Sequence, residues 1–366
     1  MEFGLSEDQR LLQDQVGKFL EGASALDDVR QVADGDAGAT EALNSAWVEM
    51  GLAGIMVPVA HGGSGLALLD AALVQEMLGY HVTPAGFMAN AALAVTALVE
   101  AGSTAQQADW LAQIATGDVR FGIAISEAAA AREKAGVASG ASGLQGKALF
   151  ALDTGEATHF IVADRDCGLH VVPRDADGLT VNRLTTIDRT RTVAELTFDN
   201  VRADALNGGN DASAAITAMI ATGRTLIAAD SLGAGQHMIE KAVAYAMERQ
   251  QFGRTIGSFQ AVKHMCAEMA ARLEPCRSLV WYAAHTADAE PDEFPLMAAL
   301  AKSHLAEVGT FVARTATEVH GGMGFTDLMG LHYWFKRIGL NRQLLGGPEV
   351  TRADAARLQG FARSGI

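Results

Sequence analysis

The sequence predicts an α+β fold, mostly α: an N-terminal helical domain, a middle antiparallel β domain and a C-terminal helical bundle. Three observations predict it. Apolar residues recur at helical spacing through the first third of the chain. Short apolar or alternating runs separated by turn residues fill the middle. Long Ala-rich stretches of helical character run from about residue 211 to the end. A chain of 366 residues exceeds one ordinary core, so two or three domains are expected. The change of texture puts them at residues 1–118, 119–207 and 208–366.

In order along the chain, Leu11, Leu12, Val16, Phe19 and Leu20 mark a first amphipathic helix, with Ser6 placed to cap its N-terminus. Further helical runs cover Leu43 to Met50, Leu68 to Leu78, Ala91 to Ala101 and Ala105 to Ala115. Val57 to Gly65, with Pro58 and three glycines, reads as a loop. Strands are expected at Phe121–Ile125, His159–Ala163, Leu169–Val172 and Val193–Phe198. Turns fall at Asp153-Thr154-Gly155 and at Asp175 to Gly178, where Gly accepts positive φ at no steric cost.

Composition excludes several classes. Hydrophobic residues make up 49% and charged residues 19%, a globular balance rather than a disordered one. A net charge of -15 argues against nucleic acid as a partner but leaves room for a local basic pocket. Cys167, Cys266 and Cys276 lie far apart without Cys-x-x-Cys spacing, so neither a disulfide framework nor a metal site is expected. No apolar run approaches the ~20 residues that span a bilayer, and the N-terminus lacks a basic segment followed by an apolar one. A soluble cytoplasmic protein with no membrane partner is the expectation.

The most informative segment is Tyr245 to Gln260. A helix ends near Arg249, Gly253 permits a sharp turn, and a second helix starts after Ser258, a candidate N-cap, with Gln260 in its first turn. Arg249, Gln251 and Phe252 thus meet at a helix-turn-helix corner. Arg pairs with phosphate oxygens and Phe offers an apolar face, so the corner suits a ligand with phosphates and a heteroaromatic ring. Composition alone favours an ordinary helical hairpin with surface Arg and Gln.

Arg249-x-x-Phe252-Gly253 followed by Phe259-Gln260, together with Val319-His320-Gly321-Gly322-Met323-Gly324-Phe325, resembles two signatures of the acyl-CoA dehydrogenase family. The resemblance extends over the whole chain, from the Leu5-Ser6-Glu7-Asp8-Gln9-Arg10 opening to Leu344-Leu345-Gly346-Gly347-Pro348. It implies that Arg249, Gln251, Phe252 and Gln260, with Glu318, Gly321, Gly322 and Gly324 as a second wall, hold the FAD seated mainly in a neighbouring subunit. It also implies that His320 is a packing residue rather than a base.

Two departures from the family pattern qualify this. The flavin-ring motif, Thr-Glu-Pro followed by small residues, Gly, Ser and Asp, is replaced by Ser126 to Glu133, and Leu149-Phe150-Ala151 stands at the Trp-Ile-Thr position. The family reaction needs a carboxylate within reach of the substrate α proton, at one of two positions. Gly223 and Gly346 stand there, so no catalytic residue is expected in this chain. Glu349 and Asp230 are nearby acids, read as a solvated loop acid and a helix-surface acid. The resemblance therefore implies a non-catalytic subunit of a heteromeric acyl-CoA dehydrogenase, perhaps α2β2, that completes the FAD pocket of a homologous catalytic partner. An acyl-CoA substrate from steroid side-chain catabolism follows by analogy only. The alternatives are an active homo-oligomer with a relocated base such as Glu349, and a flavin-free acyl-CoA-binding or scaffold protein.

Overall fold

Helices come first: α1 (Glu7–Ala23), α2 (Leu26–Asp34), α3 (Ala37–Glu49), α4 (Leu68–Tyr80), a π-helical stretch (Met88–Ala94) running into α5 (Val95–Ala101), and α6 (Thr104–Thr116). The structure is a computed structural model that describes residues 4–130, 135–209 and 212–361. Ser6 caps α1 as expected. Its hydroxyl accepts from Gln9 N at 3.1 Å, and Gln9 Oε1 accepts from Ser6 N at 3.0 Å, a reciprocal capping box. Leu20 and Val16 of α1 are fully buried.

The middle of the chain supplies β1 (Phe121–Ala124), a short α7 (Ser126–Ala129), β2 (Gly136–Gly140), β3 (Gly143–Leu152), β4 (His159–Ala163), β5 (Leu169–Pro173), β6 (Leu179–Arg183), β7 (Val193–Val201) and β8 (Asp204–Ala205). They form one sheet in the order β6-β7-β3-β1-β4-β5-β8, with β2 paired to β3. Every pair of named strands is antiparallel except β1 with β4, which run parallel from Phe121↔His159 to Ala124↔Val162. The expected β domain is therefore mixed at one ladder, because β3 takes the antiparallel place on the other side of β1. Of the middle strands, β2, β3, β6 and β8 escaped the sequence reading. β2 and β6 carry several exposed positions and lack a clean apolar run, β3 mixes buried and exposed positions without strict alternation, and β8 is two residues long.

The last part holds α8 (Ala212–Glu248), a two-strand hairpin β9 (Gln250–Gln251) and β10 (Arg254–Thr255), α9 (Gln260–Ala289), α10 (Phe294–His320), α11 (Leu331–Gln343) and α12 (Pro348–Leu358). α8 packs against α4, α9, α10 and α11, which explains why it is apolar on every side. By length and hydropathy alone α8 is long and apolar enough to cross a membrane, contrary to the sequence expectation. However, 67% of its most apolar window is buried inside the chain, as in the core helix of a helical bundle. α4 and α8 approach so closely that a Cβ on Gly79 would lie 1.9 Å from Asp230 O. One on Gly233 would lie 1.8 Å from Glu76 O.

Beside that contact sits a buried ionic cluster. Asp230 is 0% exposed, so the helix-surface position expected for it is wrong. α8 has no single apolar face, and its periodicity could not assign the residue to a side. Asp230 Oδ2 accepts from Gln75 of α4 at 2.7 Å, from Arg191 of the β6–β7 connection at 2.9 Å and from Arg337 of α11 at 3.2 Å. Its Oδ1 accepts from Asn341 of α11 at 2.6 Å. Arg337 also donates to Asp188 at 2.8 Å. Burial alone would raise the Asp230 pKa; Arg191 and Arg337 overcome that and hold it below the ordinary value. Replacing Asp230 by Asn leaves two buried guanidinium groups short of a counter-charge. Guanidinium denaturation of Asp230→Asn is expected to show a loss of about 3–5 kcal/mol; an unchanged midpoint and slope would show that the cluster does not join the layers.

Candidate functional site

The 249–260 corner is built by the end of α8 and the hairpin after it. β9 and β10 pair through Gln251↔Arg254 and Gln250↔Thr255. Phe252 and Gly253 form the two-residue turn, with φ of 52° and 75°. The corner is thus a β-hairpin between two helices rather than a simple helix-turn-helix. Ser258 does not cap α9, since its hydroxyl donates to Thr255 O at 2.7 Å and Phe259 holds the cap position without a side-chain bond. Gln260 is the first residue of α9, and its Nε2 meets His264 Nε2 at 2.8 Å.

Phe252 is 91% exposed and in left-handed backbone, a conformation that costs a non-glycine residue roughly 1–2 kcal/mol. Its ring meets Phe259 edge-on at 6.1 Å, and Arg254 lies over the Phe259 ring at 4.0 Å. Arg249, Gln251 and Gln260 are exposed. Gln251 Nε2 donates to the neighbouring Gln250 O at 2.8 Å. Arg249 makes no ion pair among the described residues.

The second motif lies at the end of α10 and comes close to the first. Tyr245, one turn before Arg249, stacks on His320 with ring centroids 4.6 Å apart. His320 is buried, with Nδ1 2.7 Å from Ala316 O, and burial pushes its pKa down. It is a packing residue in this geometry. Glu318, Gly321 and Gly322 are exposed, whereas Gly324 is buried. A Cβ on Gly324 would lie 2.8 Å from Thr317 O, so the chain's own packing requires that glycine. A Cβ on Gly322 would meet nothing within 4 Å. Among the described residues, nothing accounts for a glycine there.

Of the two positions that lack a carboxylate, Gly346 lines a small pocket of about 50 Å³, together with Ser126, Phe150, Leu340, Gln343 and Leu345. Leu345 fills the space beside Gly223: a Cβ there would lie 2.3 Å from Leu345 Cδ1. Phe150 and Leu345 both hold left-handed backbone, with φ of 51° and 53°. Ser126 Oγ donates to Phe150 O at 3.0 Å, and Glu127 accepts from Leu149 N at 2.7 Å. Both polar groups of the altered flavin-ring stretch that fall among the described residues therefore bond to the chain itself. Ala131, Arg132 and Glu133 of that stretch lie outside the described residues.

Cations secure the loop around Gly346. Arg224 donates to Leu345 O at 3.0 Å and to Asp354 at 2.7 Å. Lys302 Nζ, deeply buried, donates to Arg342 O at 3.1 Å and Gly346 O at 3.2 Å. Burial, with Arg224 and Arg342 adding repulsion, lowers the Lys302 pKa to about 7. Sequence reasoning missed this clamp, because Lys302 is separated from Gly346 by a whole helix and meets it only in three dimensions. Glu349 is at the solvent edge, its side chain 74% exposed and 3.8 Å from Arg342 and from Arg352.

Residues 6–118 match the family model described as Acyl-CoA dehydrogenase, N-terminal domain, and residues 212–359 match Acyl-CoA dehydrogenase, C-terminal domain. The chain belongs to the acyl-CoA dehydrogenase family. It is similar to Acyl-CoA dehydrogenase IpdE2 of Mycolicibacterium smegmatis, 29% identical over 96% of this chain and 99% of the relative. The bovine mitochondrial short-chain specific acyl-CoA dehydrogenase is 28% identical over 84% of this chain and 80% of its own length. Among solved structures, a Tcur3481-Tcur3483 steroid acyl-CoA dehydrogenase variant superposes with a TM-score of 0.87 at 28% identity, over 97% of this chain and 98% of that one. The ChsE4-ChsE5 complex of Mycobacterium tuberculosis shares the fold, with a TM-score of 0.88 at 23% identity, over the full length of both chains. FAD is the cofactor of this acyl-CoA dehydrogenase family.

Two measurements probe this geometry. The depressed Lys302 pKa means that the unfolded chain binds the proton more tightly between about pH 7 and the ordinary lysine range. Stability from this group therefore rises as pH rises through that window. The Tm difference, wild type minus Lys302→Met, is expected to increase from pH 7 to pH 10; a flat difference would show that Lys302 is not desolvated. Gly322→Ala is expected to leave the midpoint of denaturation within about 0.5 kcal/mol of wild type. Gly324→Ala, which forces a methyl onto Thr317 O, should cost about 1–3 kcal/mol.

Proposed function

We propose that this chain is the non-catalytic subunit of a heteromeric FAD-dependent acyl-CoA dehydrogenase, supplying one half of the flavin pocket to a homologous catalytic partner. One contrast carries the reading. The outward corner keeps an unpaired Arg249, an exposed Phe252 and open backbone at Gly321 and Gly322, whereas the inner pocket beside Gly223 and Gly346 is narrow and has no carboxylate on its wall.

In this role Arg249 pairs with a pyrophosphate oxygen, Phe252 lies against the adenine, and Gln251 and Gln260 donate to the flavin's polar edge or accept from it. Gly321, Gly322 and Gly324 let the backbone approach, with Glu318 beside them. The cofactor, when bound, supplies the hydride acceptor for α,β-desaturation of an acyl-CoA thioester. This chain's residues bind and orient it. The proton-abstracting Glu belongs to the partner. The partner reading draws support from a similar steroid acyl-CoA dehydrogenase whose name joins two components, Tcur3481 and Tcur3483. A steroid-derived acyl-CoA thioester is the substrate class proposed. Glu349 as a relocated base gains no support, being ion-paired at the solvent edge.

Purified alone, the chain is expected to carry almost no flavin. Co-expressed with its partner it should elute as a yellow complex with about one FAD per two chains, and Arg249→Ala should reduce the flavin content of that complex by about tenfold in affinity. One FAD per chain in a purified, active homomer would overturn the reading.

A further inference from the structure

A larger cavity of about 280 Å³ lies between the N-terminal helices and the middle sheet. It opens at the Phe121 end of β1, whereas the narrow pocket lies past the other end, at Ser126. α3 contributes Asn44 and Trp47, the segment leading into the π-helix contributes Phe87, and the middle sheet and its connections contribute Phe121, Asp153 and Arg191. Among the described residues none beyond Thr192 lines it, so it is separate from Gly223, Gly346 and the hairpin corner.

Its wall carries an imbalance of donors over acceptors. Trp47 Nε1, Asn44 Nδ2 and Arg191 Nε are buried without a hydrogen-bond partner among the described residues. Trp47 is 5% and Arg191 6% exposed. A buried donor left unpaired costs about 1–3 kcal/mol, and native interiors hold few of them. Three around one cavity call for acceptors from outside the chain. Arg191 is already fixed by its Nη2 bond to Asp230, which leaves Nε as the spare edge of an immobilised guanidinium. Arg120, Arg174, Arg183 and Arg189 also line the cavity and, with Arg191, outnumber its acids Asp36, Asp153 and Glu156, although Arg120 and Arg189 pair with Glu41 and Asp34 and Arg174 donates to Thr154 O and Ala157 O. Arg183 makes no ion pair among the described residues. Among the acids, Asp153 accepts from Ala89 N at 3.1 Å, and burial raises its pKa in spite of Arg191, which lessens its opposition to an anion. Phe87, Phe121 and Val48 give the remaining wall its apolar character.

We propose that this cavity is a second ligand site, one that takes a small organic carboxylate with a compact apolar body, its oxygens accepting from Trp47 Nε1 and Arg191 Nε. The site is independent of the flavin-holding corner. Because the same guanidinium holds Asp230, an occupied cavity stiffens the cluster that joins the N-terminal helices, the sheet and α11.

The test is calorimetric titration of the full chain with 2-naphthoate and, in parallel, with 2-naphthalenemethanol, which keeps the rings and removes the charge. Saturable binding of one naphthoate per chain is expected, with the alcohol weaker by about tenfold or more. Trp47→Phe keeps a ring and deletes the donor, and Ala85→Leu adds bulk at the cavity wall without touching a donor. Each is expected to weaken naphthoate by about tenfold while circular dichroism matches wild type. Should Trp47→Phe not fold, Ala85→Leu and the neutral alcohol decide. Absence of saturable naphthoate binding, equal binding of the alcohol, or full affinity in the folded variants overturns the proposal.

Discussion

Asp230 is the charge around which the layers are arranged. A carboxylate with no solvent contact is tolerable only when cations and donors surround it. Here they arrive from α4, from the connection between β6 and β7, and from α11. Neither the β6–β7 connection nor α11 can leave without stranding a charge, and loss of α4 removes a buried hydrogen-bond donor. The close passage of α4 over α8, possible because Gly79 and Gly233 have no side chains, brings Gln75 within reach of it. Position and electrostatics therefore reinforce each other, and the sheet is held at a fixed place relative to the helices.

That fixed frame gives meaning to the difference between the inner pocket and the outer corner. Inside, Leu345 and Phe150 occupy the space, Ser126 and Glu127 bond to nearby backbone, and Lys302 and Arg224 grip the loop. Outside, Arg249 has no counter-charge among the described residues, and the Gly321-Gly322 backbone faces open space. A side chain committed within its own fold has little left to offer a ligand. One held out on a strained turn, as Phe252 is, has its entropy already reduced for an encounter.

Much of this was legible in the sequence. The Ser6 cap, the spacing of α1, α4 and α6, and the runs of β1, β4, β5 and β7 are local signals, and they appear where the pattern put them. The family followed from two short motifs. Several misreadings share one cause. Asp230 in an all-round apolar helix, Lys302 opposite Gly346, and Arg191 between cavity and cluster depend on partners distant in sequence. Ser258 looked like a cap because its type favours caps. That miss is a local one: the tight turn Ile256–Ser258 sends its hydroxyl back to Thr255 O, three residues earlier.

The end of the C-terminal helices where Tyr245 stacks on His320 also displays large apolar side chains. Phe252, Phe325, Leu328 and Met247 are 91%, 79%, 76% and 65% exposed there or on adjoining segments. Rings and aliphatic groups so displayed are tolerated singly, but clustered they invite association. In the heteromeric assembly proposed above, a chain made in excess of its partner is an orphan, drawn into self-adhesion and open to chaperones and proteases. Under that proposal its steady abundance in a cell is set less by its own fold than by the supply of the partner.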